Sequence, residues 1–172
     1  MNDKILVLLK GPGSDIRGIS IKKDGSRRDI KTNSGKQEKA DRNTVEKAFE
    51  HASSFSKKVV VLQILGSNLY FYVNDIILVG PAKQRFRSYI HDEMMGRARD
   101  REKELQTKAD EKGISLEFGI VDSDDSESIV LEEASKGYDA IFLTGGRRVF
   151  PLFKKTLAQH LLKNGCKNVI QC

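Results

Sequence analysis

Cysteine is nearly missing from this 172-residue chain: the two present, Cys166 and Cys172, both fall at its C-terminal end. That excludes a disulfide scaffold and a cysteine-rich zinc site, and it fits a reducing compartment. A long hydrophobic run is also missing from the start, where Met1-Asn2-Asp3-Lys4 leads into Ile5-Leu6-Val7-Leu8-Leu9 and then stops at Lys10-Gly11-Pro12. A signal peptide needs a longer apolar region and a membrane span about twenty apolar residues. The segment therefore reads as a strand, and the expectation is a cytoplasmic protein without membrane attachment. Histidine is sparse: His51, His91 and His160 are far apart, and none has the spacing of a zinc site or a proton relay. The acidic group Asp122, Asp124, Asp125 and Glu127 lacks the glycine and closing glutamate of a calcium loop, so it reads as a solvated loop with helix-capping roles rather than a Mg²⁺ site. No acid, base or nucleophile is paired by spacing with the partner that catalysis would require. No catalytic residue and no metal ligand is assigned.

Length and charge set further bounds. A mass of 19.3 kDa suits one domain with a single core, and residues 1–172 are read as one unit. The formal charge of +6 is spread through a 31% charged composition and reads as ordinary solubility. Between Arg147 and Lys167 the basic residues Arg147, Arg148, Lys154, Lys155, Lys163 and Lys167 meet no acidic one. No nucleic-acid readout module accompanies them, and Phe150 and Phe153 sit at core-like helical spacing, so nucleic acid is not an expected partner.

What is present is an alternation of short apolar runs with amphipathic helices. Ile5 to Leu9 is continuously apolar, as in a strand covered on both faces. Residues 15–42 form a polar insertion, either a hairpin centred on Asp24-Gly25 or a disordered stretch. Asn43 or Thr44 is placed to cap a helix whose inner face is Val45, Ala48, Phe49 and Ala52, ending near Ser56. Val59 to Leu65 reads as a central parallel strand. The aromatic and apolar segment Leu69 to Val79 reads as a lid or crossover over the sheet edge. A long helix follows from about Ser88 to Lys112, with Met94, Ala98, Arg101, Leu105 and Lys108-Ala109 on a weak inner face under many charges and Gly113 closing it. Ile114 to Val121 is a strand nearer the edge. Asp125 or Ser126 caps the next helix, Gly137 ends it, and Ala140 to Leu143 is a short buried strand. Pro151, Leu152, Phe153, Leu157, Leu161 and Leu162 make a last helical stripe, and Asn168 to Gln171 a terminal strand. The fold class is α/β, a five-stranded parallel sheet with helices on both faces.

The turn Thr144-Gly145-Gly146-Arg147-Arg148 stands where such a fold handles phosphates, with backbone N–H groups and two guanidiniums available to an anion. Gly11-Pro12-Gly13-Ser14 forms the second wall of the same crevice if the first and fourth strands are neighbours.

From Tyr138-Asp139-Ala140-Ile141-Phe142-Leu143-Thr144-Gly145-Gly146-Arg147 through Cys166-Lys167-Asn168-Val169-Ile170, and at the opening Asp3 to Leu9 with Gly11 to Ser14, the chain resembles a universal stress protein domain. The resemblance implies the sheet order 3-2-1-4-5, a homodimer, and a stress-associated or signalling role as a binding module for a nucleotide or a protein partner. In the nucleotide-binding branch, glycines after the fourth strand and a later glycine with a hydroxyl residue wrap phosphates. Matched from Asp139, those positions fall on Thr144, Arg147, Leu157 and Ala158, and no single register restores the motif. The acidic residue at the end of the first strand falls near Leu9 and Lys10. The motif is thus degenerate, and a non-catalytic module is the primary expectation. The alternative is an ATP- or AMP-binding protein, with Mg²⁺ and slow ATP hydrolysis, that uses Gly11, Gly13, Ser14, Gly145, Gly146, Arg147 and Arg148, with Thr156 restoring the hydroxyl.

Overall fold

The computed structural model describes residues 3–10, 34–65, 80–123, 125–144, 157–166 and 168–172. In chain order the elements are β1 (Lys4–Lys10), α1 (Ser34–Phe55), β2 (Lys58–Ile64), α2 (Pro81–Glu111), β3 (Leu116–Val121), α3 (Ser126–Ser135), β4 (Ala140–Leu143), α4 (Leu157–Lys163) and β5 (Val169–Gln171). The strands form one sheet in the order β3-β2-β1-β4-β5. All four neighbouring pairs are parallel, with Leu9 opposite Gln63 in the β1–β2 register and Leu8 opposite Leu143 in β1–β4.

Double-sided burial explains the apolar strands. Ile5, Val7 and Leu9 project to one face of β1 and pack with Val45, Phe49 and Ala52 of α1 and Leu105 and Ala109 of α2. Leu6 and Leu8 project to the other and pack with Val130 and Ala134 of α3 and Leu157 and Leu161 of α4. Successive residues of a strand point to opposite faces, so a continuous apolar run needs helices on both. A third cluster, Leu65, Ile90, Met94 and Ala98, holds the first half of α2 over the carboxyl edge of β2 and β3.

Two helices begin earlier than periodicity suggests. Helix α1 starts at Ser34, so the last nine residues of the stretch read as insertion are helical. Thr44 is not its cap but an interior, fully buried residue whose Oγ1 donates to the Ala40 carbonyl at 2.9 Å. The Lys, Gln, Glu and Ala between residues 36 and 40 are good helix formers without an apolar stripe, which is why a search for periodicity passes over them. Helix α2 runs 31 residues from Pro81, whose ring supplies the fixed φ that suits a first helical position, after Gly80 at φ 63°. At the other helix ends the expectations hold: Asp125 accepts from the Ser128 N–H of α3 at 3.4 Å, and Gly113 and Gly137 take the left-handed conformation after α2 and α3. Strand β3 starts at Leu116, while Ile114 is buried in the preceding turn. The insertion before Ser34, the segment Leu69 to Val79, and Pro151, Leu152 and Phe153 lie outside the described residues. No described helix is long and apolar enough to cross a membrane.

At the amino edge of the sheet, charge replaces apolar packing. The Lys57 ammonium, at the turn into β2, pairs with Asp139 at the start of β4 and holds that carboxyl below the usual range. Asp139 also bonds through its backbone, accepting from Asn168 Nδ2 at 2.7 Å and donating to the Lys4 carbonyl at 2.9 Å. One residue thereby links β1, β2, β4 and the approach to β5.

Phe49, 1% exposed, is the largest fully buried side chain beneath α1. Phe49→Ala is expected to cost about 3–5 kcal/mol, read as a lowered denaturation midpoint with an unchanged slope.

Candidate functional site at the carboxyl edge

The strand order reverses between β1 and β4, because the chain moves outward to β2 and β3 and then returns to the other side of β1. In open α/β sheets, ligands bind outside the carboxyl ends of the strands at that reversal. The eight residues read from sequence as nucleotide contacts, Gly11, Gly13, Ser14, Gly145, Gly146, Arg147, Arg148 and Thr156, lie outside the described residues.

What the structure describes at the crevice is a buried polar cluster. Asp41 of α1 is 1% exposed, and its two carboxylate oxygens are engaged from two elements. Thr144, the residue after β4, donates from Oγ1 to Asp41 Oδ1 at 2.8 Å, and Arg101 of α2 donates from Nη1 to Asp41 Oδ2 at 2.8 Å. Thr144 is itself 4% exposed and Arg101 is largely covered. Local structure explains the convergence. Thr144 has the same strand parity as Ala140 and Phe142, so its side chain faces α1 and α2; Arg101 lies one turn from Ala98 and Leu105 on the inner stripe of α2. Asp41 is one turn before Val45 on the inner stripe of α1.

A buried carboxylate is costly unless it is hydrogen-bonded and paired, and here it is both. Its placement bears on the degenerate motif, since Thr144 stands where the resemblance puts a phosphate-wrapping glycine, yet its hydroxyl is turned onto Asp41. One strand beyond β1 at the same level lies Gln63, 1% exposed, whose Oε1 has no hydrogen-bond partner among the described residues.

Sequence reading missed this cluster. Arg101 was visible as a cation on the expected inner stripe of α2, beside Lys108, which in the structure pairs with Glu104 on the outer face, but Asp41 falls in the polar stretch that lacks periodicity. The histidines behave as packing and surface residues. His51 stacks against Phe55 and Phe142 with ring centroids 5.0 and 5.9 Å away. His91 of α2 bonds Asp122 at 2.7 Å across the carboxyl end of β3, and that bond raises its pKa. Asp122 is thus engaged by a histidine and Asp125 by a helix cap, and no cluster of potential metal ligands occurs among the described residues. A cavity of about 350 Å³ lies away from the crevice, at the amino ends of β4 and β5, lined by Tyr138, Asp139, Cys166 and Asn168 among others. Burial pushes the Cys166 thiol up, so it is protonated at neutral pH. Cys166 packs with the α3–α4 side of the core and Cys172 with the α1–α2 side.

Three variants have expected outcomes. Arg101→Met removes the guanidinium paired with the buried Asp41 carboxylate and should cost about 3–5 kcal/mol. Thr144→Val removes one donor and should cost about 1–3 kcal/mol, and chemical denaturation of the two variants checks the order. For His91, the raised pKa means that its contact with Asp122 stabilises fully below about pH 6.5 and is lost as pH rises through the higher folded value. The melting temperature of His91→Ala should therefore fall short of the parent's at pH 5.5 and converge on it by pH 8.5.

No protein-family model matches the sequence, and no curated protein matches it. Solved structures do. A universal stress protein, UspA, from Lactobacillus plantarum aligns with a TM-score of 0.58 at 15% identity, covering 99% of this chain and 98% of that one. A protein of the universal stress protein family from Burkholderia pseudomallei aligns with a TM-score of 0.50 at 13% identity, covering 99% of this chain and 95% of that one. At such identities the likeness is one of architecture: the chain has the universal stress protein fold.

Proposed function

We propose that the protein is a non-catalytic binding module of a stress-associated or signalling kind, cytoplasmic and homodimeric, whose crevice is not built for tight nucleotide binding. The observation that carries this reading is the engagement of Asp41 by Arg101 and Thr144. A guanidinium and a hydroxyl at the carboxyl edge are the donors a phosphate would use, and here a carboxylate of the chain already takes them. The fold likeness supports the functional class, and the scarcity of cysteine supports the compartment.

A second reading is favoured by Gln63. Its buried Oε1, without a partner among the described residues, suits the exocyclic amino group of adenine, with Gly11, Gly13 and Ser14 along one wall and Gly145, Gly146, Arg147, Arg148 and Thr156 around the phosphates. ATP or AMP with Mg²⁺ is the ligand of that reading, with slow hydrolysis at most.

Calorimetry with ATP, ADP and AMP, each with and without Mg²⁺, separates the two. The primary reading expects no saturable heat at cellular nucleotide concentrations. Micromolar binding that disappears when Arg147 and Arg148 are replaced would establish the second. For assembly, β5 is an edge strand with Ile170 exposed, and pairing of this edge with a second copy would satisfy open backbone groups. Light scattering should give a dimer at all practical concentrations, and truncation before Lys167 should yield a folded monomer.

A further inference from the structure

We infer that Arg101 and Thr144 form a latent oxyanion site that the chain itself fills with the carboxylate of Asp41. The inference rests on the reading of the crevice as one whose donors are already engaged, and it names the ligand class those donors would take: a small oxyanion, carboxylate or phosphate.

Three observations carry it. The donors come from different elements, Arg101 from α2 and Thr144 from the end of β4, and each reaches a separate oxygen of Asp41 at 2.8 Å. They are the mixed guanidinium and hydroxyl set that holds a free carboxylate or phosphate, arranged so that one group accepts from both. Their place is the carboxyl edge of β4 beside the strand-order reversal, where this class of sheet receives anions. The third observation is burial. Asp41 is 1% exposed and Thr144 4%, so the carboxylate sits in a space closed around it rather than on a surface where water would compete. An ordinary ion pair between α1 and α2 would need no contribution from the sheet. Here the sheet supplies a donor, and the acceptor is delivered by the helix that follows β1. Asp41 therefore acts as a tethered ligand, and its effective concentration excludes free anions from these donors.

Removing the tethered carboxylate while leaving both donors tests this directly. Asp41→Ala is melted in sodium formate and in inorganic phosphate, each against sodium chloride at equal ionic strength, with the parent protein as the control for general salt effects. The expected result is a saturable rise in melting temperature of about 3–6 °C at about tenfold excess of anion over its dissociation constant, in the variant alone. The double variant Asp41→Ala/Arg101→Met should lose the response. If Asp41→Ala is unfolded in chloride, circular dichroism reads the folded fraction, and formate or phosphate should restore it where chloride does not. A variant that responds no more than the parent, a double variant that responds as the single one does, or an unfolded variant that formate and phosphate leave unfolded would each overturn the inference. Nucleotide binding by the parent protein would refute the proposed function while leaving the anion response of Asp41→Ala to decide this site.

Discussion

Burial of β1 on both faces is the constraint from which the rest of the molecule follows. Its apolar residues alternate between two cores, and each core needs its own helices. Helices α1 and α2 meet one demand, α3 and α4 the other. Because β1 has a parallel neighbour on each side, β2 and β4, the chain must leave it in one direction and return to it from the other. The crevice is thus a topological product of a buried central strand, and it exists before any ligand chemistry is considered.

Asp41 sits where that topology leaves an opening. An apolar residue there would fill the space at less cost, since a buried ion pair seldom adds stability over a well-packed apolar substitute. What the pair supplies is definition of position. A leucine would tolerate a small rotation of α1 or a sliding of α2, whereas two hydrogen bonds to opposite oxygens of one carboxylate fix both helices against the end of β4. At the opposite edge Asp139 does comparable work with Lys57 and Asn168, so each end of the sheet is registered by an aspartate and its apolar middle by packing.

The strands and most inner helical faces were legible in the sequence because burial leaves a periodic trace. Val45, Phe49 and Ala52 recur as a helix must, and the apolar runs have the length of strands. Boundaries set by polar residues left no such trace. Nothing in residues 34–42 repeats, yet these residues are helical and include Asp41, the carboxylate that joins α1, α2 and the end of β4. A buried cluster joining positions 41, 101 and 144 is invisible to any local window, and only the cation on the inner stripe of α2 hinted at it. The glycine-rich turns could be read as candidates from composition, but the chemistry they face is a tertiary fact: Thr144 looks like a failed glycine in one dimension and is a hydrogen-bond donor in three.

The placement of the two cysteines has a redox consequence. Asn168 to Cys172 runs as extended chain through β5, putting roughly 13 Å between its ends, and the thiols of Cys166 and Cys172 belong to opposite sides of the sheet. A disulfide needs Cα atoms within about 7 Å, so these two cannot close a ring within one chain. Oxidation therefore has no way to staple the terminal strand to its own sheet. A disulfide at Cys166 or at Cys172 would need a thiol other than these two, so oxidation cannot tie the two sides of this sheet together through them.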